Sequence, residues 1–381
     1  MFKNIFISTG EVSGDIHGAF LAKKLLEINS ELNIFAFGST ELKKIGANII
    51  YDLTSYSGVG LIENIQAIKP AIIAYNLAKD FFKKHKIDIV ILIDNQGFNI
   101  KLAGLAKKMG LKVVYYIGPQ EWIWGVGNNW KKIINKIDLL ITIFEKEYYF
   151  YKNNLEKLGL LDVFNKKIKY FGHPLKNIIE ENFNNEYKIN QDLSNKKTIG
   201  IMAGSRKSEI KSLLPIFIKA VKKINSYDNK INIIFIFNSI WKDFIKENYN
   251  LDEFKVYFGE SNKYMKECDL IICASGTVTL EATFLNIPCI SCYKLSNLSY
   301  TIAKMLIKLD YFSLPNIILN KKVIPEFIQK DVNINNIFNE SIDILFNKIK
   351  LNNILNDYKE IKNKMDENNT VYHIAKAILD L

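Results

Sequence analysis

Twice along this 381-residue chain, short unbroken apolar runs end in a glycine-containing turn that opens an amphipathic helix. An apolar run without polar alternation makes a strand buried on both faces. Strands separated by helices then pair in parallel, with helices covering both sides of the sheet. In the first half, strands are read at residues 4–9, 33–37, 87–93, 112–117 and 139–143, and helices at 16–29, 70–84 and 100–109. Pro70 is expected in the first turn of its helix. The pattern restarts near Gly172-His173-Pro174, and residues 181–197, rich in Asn, Glu and Lys, read as a linker. Beyond it, strands are read at 198–202, 231–237, 254–258, 269–274 and 289–293, with a helix at 213–224. The stretch from residue 336 is helical, and its last helix, 372–381, is expected to return to the first domain. The fold class is therefore α/β: two Rossmann-like, doubly wound domains facing a cleft, over 1–177 and 178–350, with C-terminal helices at 351–381.

Composition excludes several classes. No run reaches the roughly 18–20 apolar residues that a spanning helix needs. Residues 1–10 lead straight into a glycine turn, which suits a first strand and not a signal peptide, so a soluble, cytoplasmic protein is expected. Cys268, Cys273, Cys289 and Cys292 include a single CxxC, with no second pair to complete a tetrahedral set. Reduced core thiols are expected, and since the four histidines form no paired-ligand spacing, no metal. The net charge of +11 is almost wholly lysine. Without a helix-turn-helix, zinc-finger or RNP signature it does not indicate nucleic acid. Solvated helix faces account for most of it, and an anionic substrate or anionic membrane surface fits the excess. Among 51 basic residues, Arg206 is the one arginine. Lysine cannot reproduce a planar two-pronged contact, so an arginine kept inside a glycine turn marks a place where that fork is needed.

The turns carry the chemistry. Gly10-Glu11-Val12-Ser13-Gly14-Asp15 joins the first strand to the first helix, where backbone and helix N-terminus can meet an anionic ligand. A tight turn with Asp15 as helix cap is the other reading. Asp94 ends the strongest apolar strand, where it could take a proton from an attacking hydroxyl or cap a turn. Ala203-Gly204-Ser205-Arg206 repeats the strand–glycine–helix plan, and Arg206 with the turn amides could neutralise a departing diphosphate. Ala274-Ser275-Gly276-Thr277 is a second such junction, with Glu281 one turn on as a candidate for ribose hydroxyls. Trp122 and Trp124, after Pro119, could line an acyl or sugar pocket or pack in the core. Leu314-Pro315-Asn316 and Pro325-Glu326-Phe327-Ile328-Gln329 add amides near the cleft.

Taken in order, Gly-Glu-x-Ser-Gly-Asp, Ile-Asp-x-x-x-Phe-Asn, Pro-x-x-Trp-x-Trp, Gly-His-Pro, Gly-Ser-Arg-x-x-Glu-Ile, Ala-Ser-Gly-Thr-x-x-x-Glu, Ser-Leu-Pro-Asn and Pro-Glu-x-x-Gln resemble the lipid-A-disaccharide synthases. The resemblance runs from about residue 8 to 329. It implies a GT-B glycosyltransferase of the inverting type. Such an enzyme joins UDP-2,3-diacylglucosamine to 2,3-diacylglucosamine 1-phosphate and releases UDP, with the new bond β-1,6. It further implies Asp94 as base or essential acid, Arg206 as the essential arginine, and Asn316 and Gln329 as helpers in nucleotide binding. The implied partners are the UDP-sugar donor, the acylated sugar-phosphate acceptor and the anionic cytoplasmic face of an inner membrane, with a homodimer also open. No cofactor is implied.

The chain departs from the family's Asp-x-Pro-Asp-Phe-Asn motif at Gln96 and Gly97, and Ala203 stands where proline usually precedes Gly-Ser-Arg. Gly125 and Asn128 stand where arginines usually follow the tryptophans. Two other readings use the same motifs: an isomerase like the UDP-N-acetylglucosamine 2-epimerases, and a non-catalytic nucleotide- or lipid-binding relic.

Overall fold

A computed structural model describes residues 2–54, 61–124, 129–183, 196–295, 310–365 and 369–381. Alternate residues of the inner strands enter opposite cores. Ile5 and Ile7 pack on one face of the first sheet with Ile89, Ile91 and Ile93, while Phe6 packs on the other with Val90 and Leu92. With both faces apolar, the strands have no polar side to turn outward, so helices close over each face.

The first sheet is parallel, in the order β3-β2-β1-β4-β5-β6-β7. Its strands are β1 Asn4–Thr9, β2 Asn33–Phe37, β3 Asn48–Tyr51, β4 Ile89–Ile93, β5 Lys112–Tyr116, β6 Leu139–Thr142 and β7 Ile168–Tyr170. The second is also parallel, in the order β10-β9-β8-β11-β12-β13. It comprises β8 Thr198–Met202, β9 Asn232–Phe237, β10 Lys255–Phe258, β11 Leu270–Ala274, β12 Cys289–Tyr293 and β13 Glu326–Ile328. The chain is thus α/β with two doubly wound sheets.

Three strands were not anticipated. β3, β7 and β13 lie at sheet edges and are mostly half-exposed, so they lack the apolar run that identifies an inner strand. Pro70 does not start its helix. The helix spans Leu61–Lys84, and the proline sits buried in its interior, because helical periodicity runs straight through it. Within the expected linker, residues 181–183 finish the helix Leu175–Phe183, and 184–195 lie outside the described residues.

The last helix, Thr370–Leu379, packs against the helix Val12–Ile28, and its Val371, Ile374, Ala375 and Ile378 complete a core of the first domain. All four cysteines are buried and free. Cys289 and Cys292 stand three apart on β12, which turns their side chains to opposite faces of the sheet. Among the described residues no helix is long and apolar enough to cross a membrane.

Candidate active site

In an open parallel sheet, ligands bind beyond the C-terminal strand ends, where connections diverge to opposite sides. That point falls between β1 and β4 in the first sheet and between β8 and β11 in the second. Thr9 pairs with Ile93, which sets the turn after Thr9 beside Asp94. Met202 pairs with Cys273, which sets the turn leading to Arg206 beside the Ser275–Thr277 junction. The four turns singled out in the sequence therefore occupy the two divergence points.

Close packing explains the glycines. A side chain at Gly10 would run into that of Asn95, and Gly204, at φ +122°, adopts a backbone that other residues rarely reach.

Asp94 and Asn95 are both left-handed, at φ 49° and 45°, as is the neighbouring Ile117 at 61°. Such backbone persists only where its surroundings fix it. The Asp94 N–H donates to the Ile117 carbonyl at 3.1 Å. The Asp94 carbonyl accepts from the Tyr115 hydroxyl and from Asn99 Nδ2, each at 2.8 Å. Asn99 is fully buried and takes the Ser8 hydroxyl on its Oδ1 at 2.7 Å, which ties β1 to the turn after β4. Burial pushes the Asp94 carboxyl up, the negative charge of Glu11 adds to the rise, and Arg206 only partly opposes it, leaving a value of about 6. A carboxylate poised there can accept a proton near neutral pH.

Arg206 caps the helix Lys207–Tyr227. Its Nη1 donates to Glu209 Oε1 at 2.9 Å and its Nη2 to Glu11 Oε2 at 2.7 Å. Glu209 Oε2 in turn accepts the Ser205 and Arg206 N–H groups at 3.0 and 3.2 Å, a capping box that fixes the turn. Burial alone would lower the guanidinium's proton affinity, but Glu11 and Glu209 outweigh it, so the group stays charged. One carboxylate from each domain holds it, and Nε is buried without a partner among the described residues.

At the second junction the Ser275 N–H and hydroxyl go to the Cys292 and Phe312 carbonyls. Gly276 and Thr277 remain exposed at the start of the helix Thr277–Phe284. Burial raises the Glu281 carboxyl to about 7. Ser13 and Gly14 lie in the first turn of the helix Val12–Ile28, Ser13 half-buried and Gly14 buried.

Other expected site residues turn inward. Asp15 does not cap its own helix: its oxygens accept the Ser39 and Glu41 N–H groups at 2.7 and 2.8 Å, so it caps the short helix Thr40–Lys44. Asn316 is fully buried, with Oδ1 accepting from Val323 and Ile324 N–H at 2.8 and 2.9 Å and Nδ2 donating to the Ile324 carbonyl. Gln329 exchanges both hydrogen bonds with the Leu295 backbone, at 2.8 and 3.1 Å. These amides shape the loops beside β12 and β13. Trp122 packs on Phe144, ring centroids 5.8 Å apart, and donates to Gln120 at 2.6 Å, so the core reading describes it. The Trp124 side chain, and Gly125 and Asn128, lie outside the described residues.

Two acidic groups near the site carried no signal in the sequence. Glu121 is buried and accepts from Gln96 Nε2 at 2.5 Å. Glu147 is fully buried, with one oxygen accepting from the Ile143 N–H and the other without a partner among the described residues, and burial raises it to about 8. Only the β4–β5–β6 strand order brings these positions to the strand ends near Asp94.

The model of the lipid-A-disaccharide synthetase family matches residues 5–378. A lipid-A-disaccharide synthase of Sulfurihydrogenibium sp. is 36% identical over 370 residues, covering 91% of this chain and 90% of that protein. One from Persephonella marina is 32% identical over 399 residues, covering 100% and 99%. Among solved structures, the UDP-GlcNAc 2-epimerase of Neisseria meningitidis bound to UDP-GlcNAc superposes with a TM-score of 0.67, covering 100% of both chains at 13% identity. At that identity the likeness shows the fold alone, and the fold is of the GT-B type.

Proposed function

The chain belongs to the lipid-A-disaccharide synthase family, and from that premise we propose that Asp94 and Arg206 carry its chemistry across the cleft. The protein is a glycosyltransferase that forms the lipid A disaccharide. Its donor would be UDP-2,3-diacylglucosamine and its acceptor 2,3-diacylglucosamine 1-phosphate. The reaction is a single displacement at the donor's anomeric carbon. The acceptor 6-hydroxyl oxygen forms the new bond, its proton passes to the Asp94 carboxylate, and the bond to the diphosphate oxygen breaks with its electron pair leaving on UDP. That step inverts the anomeric centre. The observation that carries this reading is the place of Asp94 at the end of β4, beside the turn whose Glu11 holds Arg206 of the second domain at 2.7 Å.

On the donor side, the exposed start of the helix at Gly276 and Thr277 offers amides to phosphate. The diphosphate would take the place of Glu11 at Arg206 Nη2, one anion exchanged for another. With guanidinium and amides meeting the leaving charge, the proposal needs no metal ion. Asn316 and Gln329 act by holding the loops that border the nucleotide. Glu281, half-buried with its carboxyl raised by burial to about 7, would meet the ribose hydroxyls.

The acyl chains call for a lipid surface. The helix Leu61–Lys84 exposes Ile68, Ile72, Ile73 and Leu77. Among them stand Lys69, Lys79 and Lys83, also exposed, on a chain of net charge +11. We propose that this face rests on the anionic cytoplasmic side of the inner membrane. The isomerase reading loses its ground, because the likeness to epimerases is one of fold.

Incubation with both acylated substrates, followed by mass spectrometry, tests the function. A disaccharide and UDP should form only when both are present. UDP released without acceptor, or a donor epimer, would reject the proposal.

A further inference from the structure

Gln96 and Glu121 join the first residues of two helices at the C-terminal edge of the first sheet. The helix Gln96–Lys108 follows β4 and the helix Glu121–Trp124 follows β5, the neighbouring strand. Asp94 lies two residues before Gln96, in the left-handed turn of φ 49° and 45°. Contacts with Ile117, Tyr115 and Asn99 fix the backbone of Asp94 itself. At the far end of the turn the Asn99 N–H donates to the Asn95 carbonyl at 2.9 Å, a backbone bond that leaves the Gln96 side chain to be held from elsewhere.

A proline at a first helical position restrains that end by itself. Its ring presets φ, and the N–H it lacks is one the helix does not use. The motif that this chain resembles has proline there, whereas this chain has Gln96, followed by Gly97 with open space where a side chain would stand. The Gln96 side chain is held by its hydrogen bond to Glu121 Oε1 at 2.5 Å. Glu121 is no mobile surface acid: it is 5% exposed. Burial raises its carboxyl above the ordinary value, and the glutamine bond opposes that rise only in part.

We infer that Glu121 is a positioning residue for Asp94, acting through Gln96, and that the pair supplies the rigidity that a proline would otherwise give this turn. The inference rests on Asp94 being the base of the proposed transfer. Displacing a reacting group by about 1 Å costs on the order of a hundredfold in rate, so loss of this contact should be read in turnover.

The test measures disaccharide formation and unfolding temperature for the wild type, Glu121→Gln, Glu121→Leu, and Glu121→Leu combined with Gln96→Pro. Glu121→Leu should lower kcat by about tenfold to a hundredfold, with little change in donor KM. Glu121→Gln keeps an accepting oxygen and should retain most of kcat. Adding Gln96→Pro to Glu121→Leu should restore it. A Glu121→Leu protein with wild-type kcat, or a loss that Gln96→Pro fails to relieve, overturns the inference. If Glu121→Leu does not fold, Gln96→Ala takes its place and must show the same kcat loss. A wild-type protein that forms no disaccharide would instead sink the functional reading.

Discussion

Asp94 combines a left-handed backbone at the end of β4 with a carboxyl raised to about 6. Asp94→Asn should lower turnover by about 10²–10⁴-fold, the usual contribution of a positioned base. It should also stabilise the fold at pH 7.5. The folded value lies above the ordinary 3.8, so the stability linked to Asp94 is complete below about pH 4 and is lost as pH rises through about 6. Removing the charge should recover about 1–3 kcal/mol, measured by urea unfolding. For the wild type, kcat/KM should rise with pH through about 6 as the base ionises. Glu147 has the same sign at a higher window. Its folded value near 8 means that stability falls as pH rises through 8, and Glu147→Gln should flatten that slope. At Arg206, lysine keeps the charge but cannot bridge Glu11 and Glu209 together, so Arg206→Lys should lose most of the turnover. Asp94 and Arg206 were legible because one ends an apolar strand and the other is a lone arginine in a glycine turn. Glu121 was not, because its meaning lies in a neighbour 25 positions away.

At the scale of elements, inner strands were legible to within about two residues, since burial on both faces writes them as apolar runs. β1, β2, β8 and β12 begin and end where the sequence places them. The edge strands β3, β7 and β13 and the start of the helix through Pro70 were not legible, because exposure removes the apolar signal and a tolerated proline imitates a helix start; the edge strand β10, which keeps Val256, Tyr257 and Phe258 in a row, was read. Motif residues misled in a different way. Asp15, Asn316 and Gln329 stand in motifs by the cleft, yet their side chains hold backbone. Asp15→Asn replaces one accepting oxygen by a donor facing an N–H group. It should cost about 1–3 kcal/mol of stability while leaving substrate KM nearly unchanged. A raised KM without lost stability would return Asp15 to the substrate site.

For the whole molecule, the domains are tied by the Glu11–Arg206 ion pair and by Lys146 Nζ donating to the Ile317 carbonyl at 2.8 Å. The C-terminal helix belongs to the first domain's core, so Ile374→Ala should destabilise the protein by about 2–5 kcal/mol in chemical unfolding. The proposed membrane face predicts co-sedimentation with anionic vesicles that weakens with salt and with Ile72→Asp; equal binding to neutral vesicles would argue against it. The central claim is that Asp94 accepts the acceptor's proton in a glycosyl transfer from a UDP-sugar. Its most direct test is the rate of disaccharide formation by Asp94→Asn, at saturating concentrations of both acylated substrates and with the fold verified. Near-complete loss of disaccharide from a protein at least as stable as the wild type is the expected result. Turnover at the wild-type rate would contradict it.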